Sequence, residues 1–375
     1  MWERSRFYLG WVISAILGLY ILIRNSQCSF SSFPMEFLSL SRVAHAAQRA
    51  DGVSCSRLCP TCEVFCVPGN PFFFSMLQDC GHICKIVPDG QNVIRAAGKF
   101  FDEFRKKVDC RTIWSSPHMD MPHEGAQPPS LKELPAPLVD LYSYGGTVEI
   151  TERYLDNKYY GSDRDTGGSL HNWTETLIDG LVAKAVSHSL EGSYGMNATD
   201  CLEAGLRDAD LRGKRVLVIG SAKPWVEAIC LANGAAEITT LEYANLESGH
   251  KQVHVMTPAA MSEAAKRDQL PEFDVIVSFS SLEHSGLGRY GDALNPYGDL
   301  VTMARAWCVA SPDARLVLGV PTVGLEKEKP IVNFNEARHY GRTTYAQLFA
   351  NWRQDTMHYC GEHHPVYQLQ RLPAI

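Results

Sequence analysis

From Arg215 to the C-terminus, short apolar β-branched runs alternate with longer stretches of helical period. Arg215 to Ile219 is a valine-rich run closed by Gly220, the signature of a buried strand. Pro224 then opens a helix at its favoured first-turn position. The helix runs through Val226, Ile229, Leu231 and Ala232 to a stop at Gly234. Ile238 to Tyr243 reads as a second strand and Val253 to Met256 as a short third one, followed by a helix over Pro258 to Arg267. Asp274 to Phe279 predicts the next buried strand, Asp299 to Trp307 a helix, and Arg315 to Val320 another strand. A helix near Thr344 to Trp352 and a closing edge strand over Val366 to Leu372 complete the series. Alternation of this kind predicts a doubly wound, mostly parallel α/β sheet of Rossmann-like form.

The first half is patterned differently. Phe7 to Ile23 is an unbroken apolar run flanked by Arg4, Arg6 and Arg24. As a helix it reaches roughly 26 Å, enough for a hydrocarbon core. With no small-x-small cleavage site after it, residues 1–24 read as an uncleaved signal anchor with a short cytosolic tail. Residues 25–114 read as a stem and cysteine-rich segment, and the prolines of 115–137 as a linker. A helix candidate over Asn172 to Leu190 places a cap or extension at 138–211, ahead of the Rossmann-like domain at 212–375.

Cysteine usage changes the picture of the compartment. Of twelve cysteines, Cys28, Cys55, Cys59, Cys62, Cys66, Cys80, Cys84 and Cys110 crowd the first third. Behind a membrane anchor this density favours disulfides, although Cys59 and Cys62 also have zinc-ligand spacing. The looser set His358, Cys360, His363 and His364 is weighed the same way, and no metal is expected. Asn172-Trp173-Thr174 and Asn197-Ala198-Thr199 are glycosylation sequons. The expected topology is a single-pass type II membrane protein in the lumen of the Golgi or endoplasmic reticulum, with secretion as the alternative. A net charge of −7 without a basic stripe disfavours nucleic acid as a partner. Neither composition nor pattern sets the oligomeric state.

Ligands of open α/β sheets bind beyond the carboxyl ends of the strands. Three strand ends carry suitable groups. Gly220, Ser221 and Ala222 follow the first strand, where a missing Cβ lets the backbone approach a ligand. Glu242 and Tyr243 end the second strand, and the acid can accept hydrogen bonds from ribose hydroxyls. Ser280 to His284 follow the central strand, where the reacting group of a cofactor would lie.

The run Val216 to Tyr243, followed by Phe273 to His284, resembles class I S-adenosylmethionine-dependent methyltransferases. More narrowly, Gly220-Ser221 with Pro224 to Ala228, and Leu282-Glu283-His284 through Asp292, are similar to a methyltransferase-like family known as domain of unknown function 268. The likeness extends through Asn295-Pro296, Gly298 to Leu300, and Phe334 to Gly341. It implies a seven-stranded sheet with S-adenosylmethionine over the first two strands, Gly220 and Ser221 against its methionine part and Glu242 on the ribose; Ala222, Tyr243 and Ser280 are further cofactor-binding candidates. Two departures stand out. Ser221, Ala222 and Lys223 replace the usual glycines, and no acid follows the third strand, where Thr257 and Pro258 stand.

The expected reaction is O-methylation of a glycan or another hydroxyl in the secretory pathway. His284 is the candidate base, oriented by Glu283, with Asp292 as a second candidate. Asn335, Arg338 and Tyr340, with His339, are the candidate acceptor-binding cluster. The competing reading is a methyltransferase fold without catalysis that serves as an interaction module. A nicotinamide-dependent oxidoreductase is disfavoured by the lack of a Gly-x-Gly-x-x-Gly loop.

Overall fold

A computed structural model of the chain describes residues 108–114, 129–144, 146–153, 171–243, 246–290, 292, 294–323, 329–359 and 364–374. The proposed anchor at 7–23, seven of the eight clustered cysteines, and Cys360 and His363 lie outside them. No helix among the described residues is long and apolar enough to cross a membrane.

The elements, in chain order, begin with α1 (Cys110–Ile113), a 3-10 turn (Leu131–Glu133) and α2 (Ala136–Tyr142). Strands β1 (Glu149–Glu152) and β2 (His171–Trp173) lead to α3 (Glu175–Val186) and α4 (Met196–Ala209). The Rossmann-like part then runs β3 (Arg215–Ile219), α5 (Trp225–Ala232), β4 (Glu237–Leu241), β5 (Leu246–Ser248), β6 (Val253–Met256) and α6 (Pro258–Lys266). It continues with β7 (Phe273–Phe279), a 3-10 turn (Leu282–His284), α7 (Gly298–Val309) and β8 (Ala310–Gly319). It closes with β9 (Ile331–Phe334), β10 (Ala337–His339), α8 (Arg342–Leu348), β11 (Trp352–His358) and β12 (Val366–Arg371).

Seven strands form one sheet in the order β11-β12-β8-β7-β3-β4-β6. The β6, β4, β3, β7 and β8 neighbours are parallel, whereas β12 runs antiparallel to both β8 and β11. Strand alternation decides which helix meets which side chain. Val216 and Val218 of β3 point into a core shared with α3, α4 and α5. Leu217 and Ile219, one residue out of phase, point into the opposite core with α6, α7 and α8. Helices cover both faces, which is why β3 and β7 read as continuous apolar runs rather than alternating ones.

Three features differ from the sequence reading. Val366–Arg371 is not an edge strand: it lies between β8 and β11. The edge on that side is β11, whose polar Trp-Arg-Gln-Asp-Thr-Met-His sequence has half-exposed or exposed residues after Trp352, so no apolar run announces it. The helix placed over 344–352 therefore ends at Leu348, and the chain turns into β11 through Asn351 at φ +70°. The proline-rich stretch also ends earlier as a linker. Leu134, Leu138 and Tyr142 are buried against Leu287, Leu294 and Phe334, beside the small sheet β1-β9-β10.

Cys110 and Cys308 form a disulfide that ties α1 to α7, and Cys201 is also disulfide-bonded. Asn172 and Asn197 are both exposed. Their sequon threonines have structural tasks as well: Thr174 caps α3 by accepting the Leu177 amide, and Thr199 Oγ1 accepts the Gly192 amide.

Candidate functional site

Beyond Ile219 the chain turns at Gly220 with φ +73°, a conformation that side chains disfavour. A Cβ there would lie 1.7 Å from Ser281 Oγ. Only glycine lets the loop after β3 press against the loop after β7. The Gly220 amide donates to Leu241 O at 2.9 Å, which joins the β3 and β4 ends directly. At the end of β4, Glu242 accepts the Ser221 amide at 2.9 Å through Oε2 and the Tyr243 amide at 2.7 Å through Oε1. Each carboxylate oxygen can take more than one hydrogen bond, so this fixed carboxylate retains acceptor capacity for a ligand hydroxyl.

A second carboxylate lies behind the loop. Glu227 is fully buried in α5, and its pKa is pushed up to about 7 by burial. Ser221 Oγ lies 2.9 Å from Glu227 Oε2 and 2.8 Å from Lys223 O, and Thr240 Oγ1 donates to Oε1 at 2.8 Å. A serine has one proton to give. Both Ser221 contacts are satisfied together when Glu227 is protonated: it donates to Ser221, which donates to Lys223 O. The geometry and the raised pKa agree on a neutral acid that shapes the Ser-Ala-Lys loop.

The loop after β7 is organised from below. Ser280 adopts φ +49°, and its Oγ donates to Glu283 Oε1 at 2.9 Å. Glu283 is fully buried, and burial pushes its pKa up to about 7. Next to it, His284 Nδ1 contacts Glu336 O at 2.5 Å, which fixes the proton on Nδ1 and leaves Nε2 as the acceptor. Burial first, and the Arg289 guanidinium second, push the histidine down to about 3. This corrects the expectation of His284 as the base that takes the acceptor's proton. His284 is a neutral ring that can orient an acceptor hydroxyl but holds a proton weakly. Glu283 Oε1 lies 3.5 Å from His284 Nε2.

Asp292 is a loop staple. It accepts the amides of Gly286 at 2.6 Å, Gly288 at 3.3 Å and Tyr290 at 3.2 Å.

These strand ends surround a cavity of about 530 Å³. Gly220, Ser221, Ala222, Glu242, Tyr243 and Ser280 all line it, as do His284 and Asp292, while Glu283 lies beneath the wall. Four aromatic side chains stand on its wall, Tyr194, Trp225, Phe279 and Tyr290. Trp225 is buried and packed edge-on to Phe279 at 5.5 Å. Other wall residues are apolar: Met261, Val309 and Trp114 share one cluster, with Leu241 packed against it.

The acceptor cluster chosen from the sequence is elsewhere. Asn335, Arg338 and Tyr340 are buried and do not border the cavity. Arg338 donates to the carbonyls of Glu283, Ser285, Asn295 and Pro296, and lies 3.6 Å from Asp299. Tyr340 donates to Asp299 at 2.9 Å, and Asn335 occupies the β9–β10 turn at φ +63°. A guanidinium whose four Nη hydrogens reach backbone carbonyls, and whose Nε faces Asp299, clamps the loop after β7 instead of facing the cavity. His358 contacts Asp208 at 2.8 Å, and no metal-binding group of His, Cys, Asp or Glu occurs among the described residues.

Sequence reasoning missed Glu227, Tyr194 and Trp114. A lone glutamate within Trp-Val-Glu-Ala-Ile-Cys was the available sign for the first. The other two come from segments with no motif.

The seven-stranded, mostly parallel sheet with a cleft at the ends of β3, β4 and β7 defines an open α/β domain with its ligand cavity at the carboxyl ends of the strands. Residues 213–371 match the family model described as "Caenorhabditis protein of unknown function, DUF268". Among solved structures, the chain is similar to Burkholderia thailandensis 1,6-didemethyltoxoflavin-N1-methyltransferase, whose crystals hold S-adenosylhomocysteine. That likeness has 19% identity and a TM-score of 0.34, over 46% of this chain and 80% of that one. A methyltransferase from Aquifex aeolicus is 14% identical with a TM-score of 0.30, over 46% of this chain and 89% of the other. Comparison with curated proteins returns no match.

Proposed function

We propose that the chain is an S-adenosylmethionine-dependent methyltransferase acting on a hydroxyl, such as that of a glycan, in the secretory pathway. The observation that carries it is the Gly220–Glu242 cradle. A backbone turn without room for a Cβ stands beside a carboxylate fixed by two amides, and both face one cavity. The residues fit an adenosyl group: Glu242 would hold the ribose, and the Ser221–Lys223 loop the amino-acid end. The cofactor supplies an electrophilic methyl group. The chain's own contribution is alignment, by the aromatic walls Tyr194, Trp225, Phe279 and Tyr290, with His284 Nε2 as acceptor for the substrate hydroxyl. Aromatic faces suit a pyranose ring, which supports the glycan assignment. A luminal setting is supported by the Cys110–Cys308 disulfide and by the exposed sequons at Asn172 and Asn197, with residues 7–23 as the membrane anchor.

Isothermal titration of the purified chain with S-adenosylhomocysteine tests the cofactor claim. Micromolar binding that is lost in Glu242→Ala is expected; absence of binding at millimolar ligand refutes it. Glycan mass spectra that show no methyl difference after loss of the protein would refute the acceptor claim.

A second reading is favoured by one observation: the buried His284 is held far below the range of an effective base. On that reading the fold binds cofactor or partner without turnover. Methyl transfer to any hydroxyl acceptor by wild type, lost in Glu242→Ala, excludes it.

A further inference from the structure

The apolar wall of the cavity includes a segment far upstream of residue 213, where the family match begins. Trp114 follows α1, is only 6% exposed, and borders the cavity. Three contacts hold it. Cys110 is disulfide-bonded to Cys308 of α7. The Ile113 carbonyl accepts from Arg305 Nε at 3.4 Å and Nη2 at 3.2 Å. The same guanidinium lies 4.8 Å from the Trp114 ring centroid. Across from the indole, Thr302, Arg305, Ala306 and Val309 form one face of α7 at helical spacing.

Trp114 and Met261 belong to one apolar cluster, and Leu241, the residue before Glu242, packs against it. Trp225 and Phe279 belong to the cluster on the opposite face of the sheet. If Glu242 takes the ribose, the Trp114 side is left for the purine. We propose that Trp114 is the wall against which the cofactor's purine packs, and that the Cys110–Cys308 disulfide holds it there. The inference rests on the cofactor reading above. It means that the cofactor site is completed by the cysteine-bearing N-terminal segment, and that cofactor affinity is sensitive to reduction.

The test is titration of the full chain with S-adenosylhomocysteine. Trp114→Ala weakens binding about fivefold, the scale of losing roughly 1 kcal/mol of apolar contact, and Trp114→Phe about twofold or less. The paired substitution Cys110→Ser/Cys308→Ser also weakens it. Adding Trp114→Ala to that pair costs little more, because the disulfide acts through the indole. Ligand quenching of tryptophan fluorescence, which does not depend on the alanine variant folding, falls in Trp114→Phe to what Trp225 contributes and persists in full in Trp307→Phe. Binding to wild type with unchanged affinity in Trp114→Ala, or full quenching in Trp114→Phe, overturns this proposal alone. Failure of wild type to bind overturns both it and the cofactor reading.

Discussion

Replacing Glu227 by glutamine is expected to stabilise the protein by about 3 kcal/mol at pH 8 and by less than about 1 kcal/mol at pH 5. The carboxyl is completely buried, and its pKa rises from an ordinary 4.5 to about 7. A folded-state pKa above the unfolded one gives stability that is fully present below 4.5. It drains away as pH rises and is gone once the pH passes about 7. The shift corresponds to about 3 kcal/mol at full ionisation, of which about 2 to 3 kcal/mol separates pH 5 from pH 8. Glutamine mimics the protonated acid. Its amide can donate to Ser221 Oγ where the acid's proton would, and its carbonyl can accept from Thr240 Oγ1. Urea denaturation of wild type and Glu227→Gln at both pH values measures the difference. Glu283, also buried with a pKa near 7, adds a similar pH dependence to both proteins and cancels in the comparison. The reasoning is refuted if the two proteins show parallel pH dependence, or if the variant is weaker by more than about 1 kcal/mol at pH 5.

Other outcomes follow from the same geometry. Gly220→Ala is expected to lose cofactor binding and about 2 to 4 kcal/mol of stability. Adding Ser281→Gly removes the clash but leaves the backbone strain of about 1 kcal/mol, so thermal denaturation should show partial rescue. Lys223 is exposed at the cavity edge, facing the amino-acid end of the proposed cofactor. Lys223→Ala should weaken S-adenosylhomocysteine several-fold and leave 5′-methylthioadenosine, which lacks the carboxylate, unaffected in parallel titrations. Arg338→Met removes donors from four carbonyls and the partner of Asp299, and is expected to cost about 3 to 5 kcal/mol by chemical denaturation. Activity that survives this substitution in a stable protein would show that the loop carrying His284 does not depend on the clamp.

The strands β3 and β7 were legible because burial on both faces demands runs such as Val216 to Ile219, whatever the rest of the chain does. Gly220 and Glu242 were legible for a related reason: a strand end fixes where its next residue points, so the chemistry of that residue can be read locally. The polar edge strand β11 was not, since an edge need not be apolar on either face. Nor were roles that depend on distant partners. His284 has an ordinary imidazole in the sequence and becomes a neutral, weak acceptor only because Glu336, Arg289 and a buried setting surround it. Arg338 looked like a substrate anchor until the fold brought four carbonyls within its reach. Trp114 belongs to the cavity only through its contacts with α7. Local pattern determined the sheet and the cradle, because strand periodicity and backbone conformation are short-range. Protonation, burial and the closing of the cavity were decided by tertiary structure, because each depends on groups distant in sequence that packing brings together.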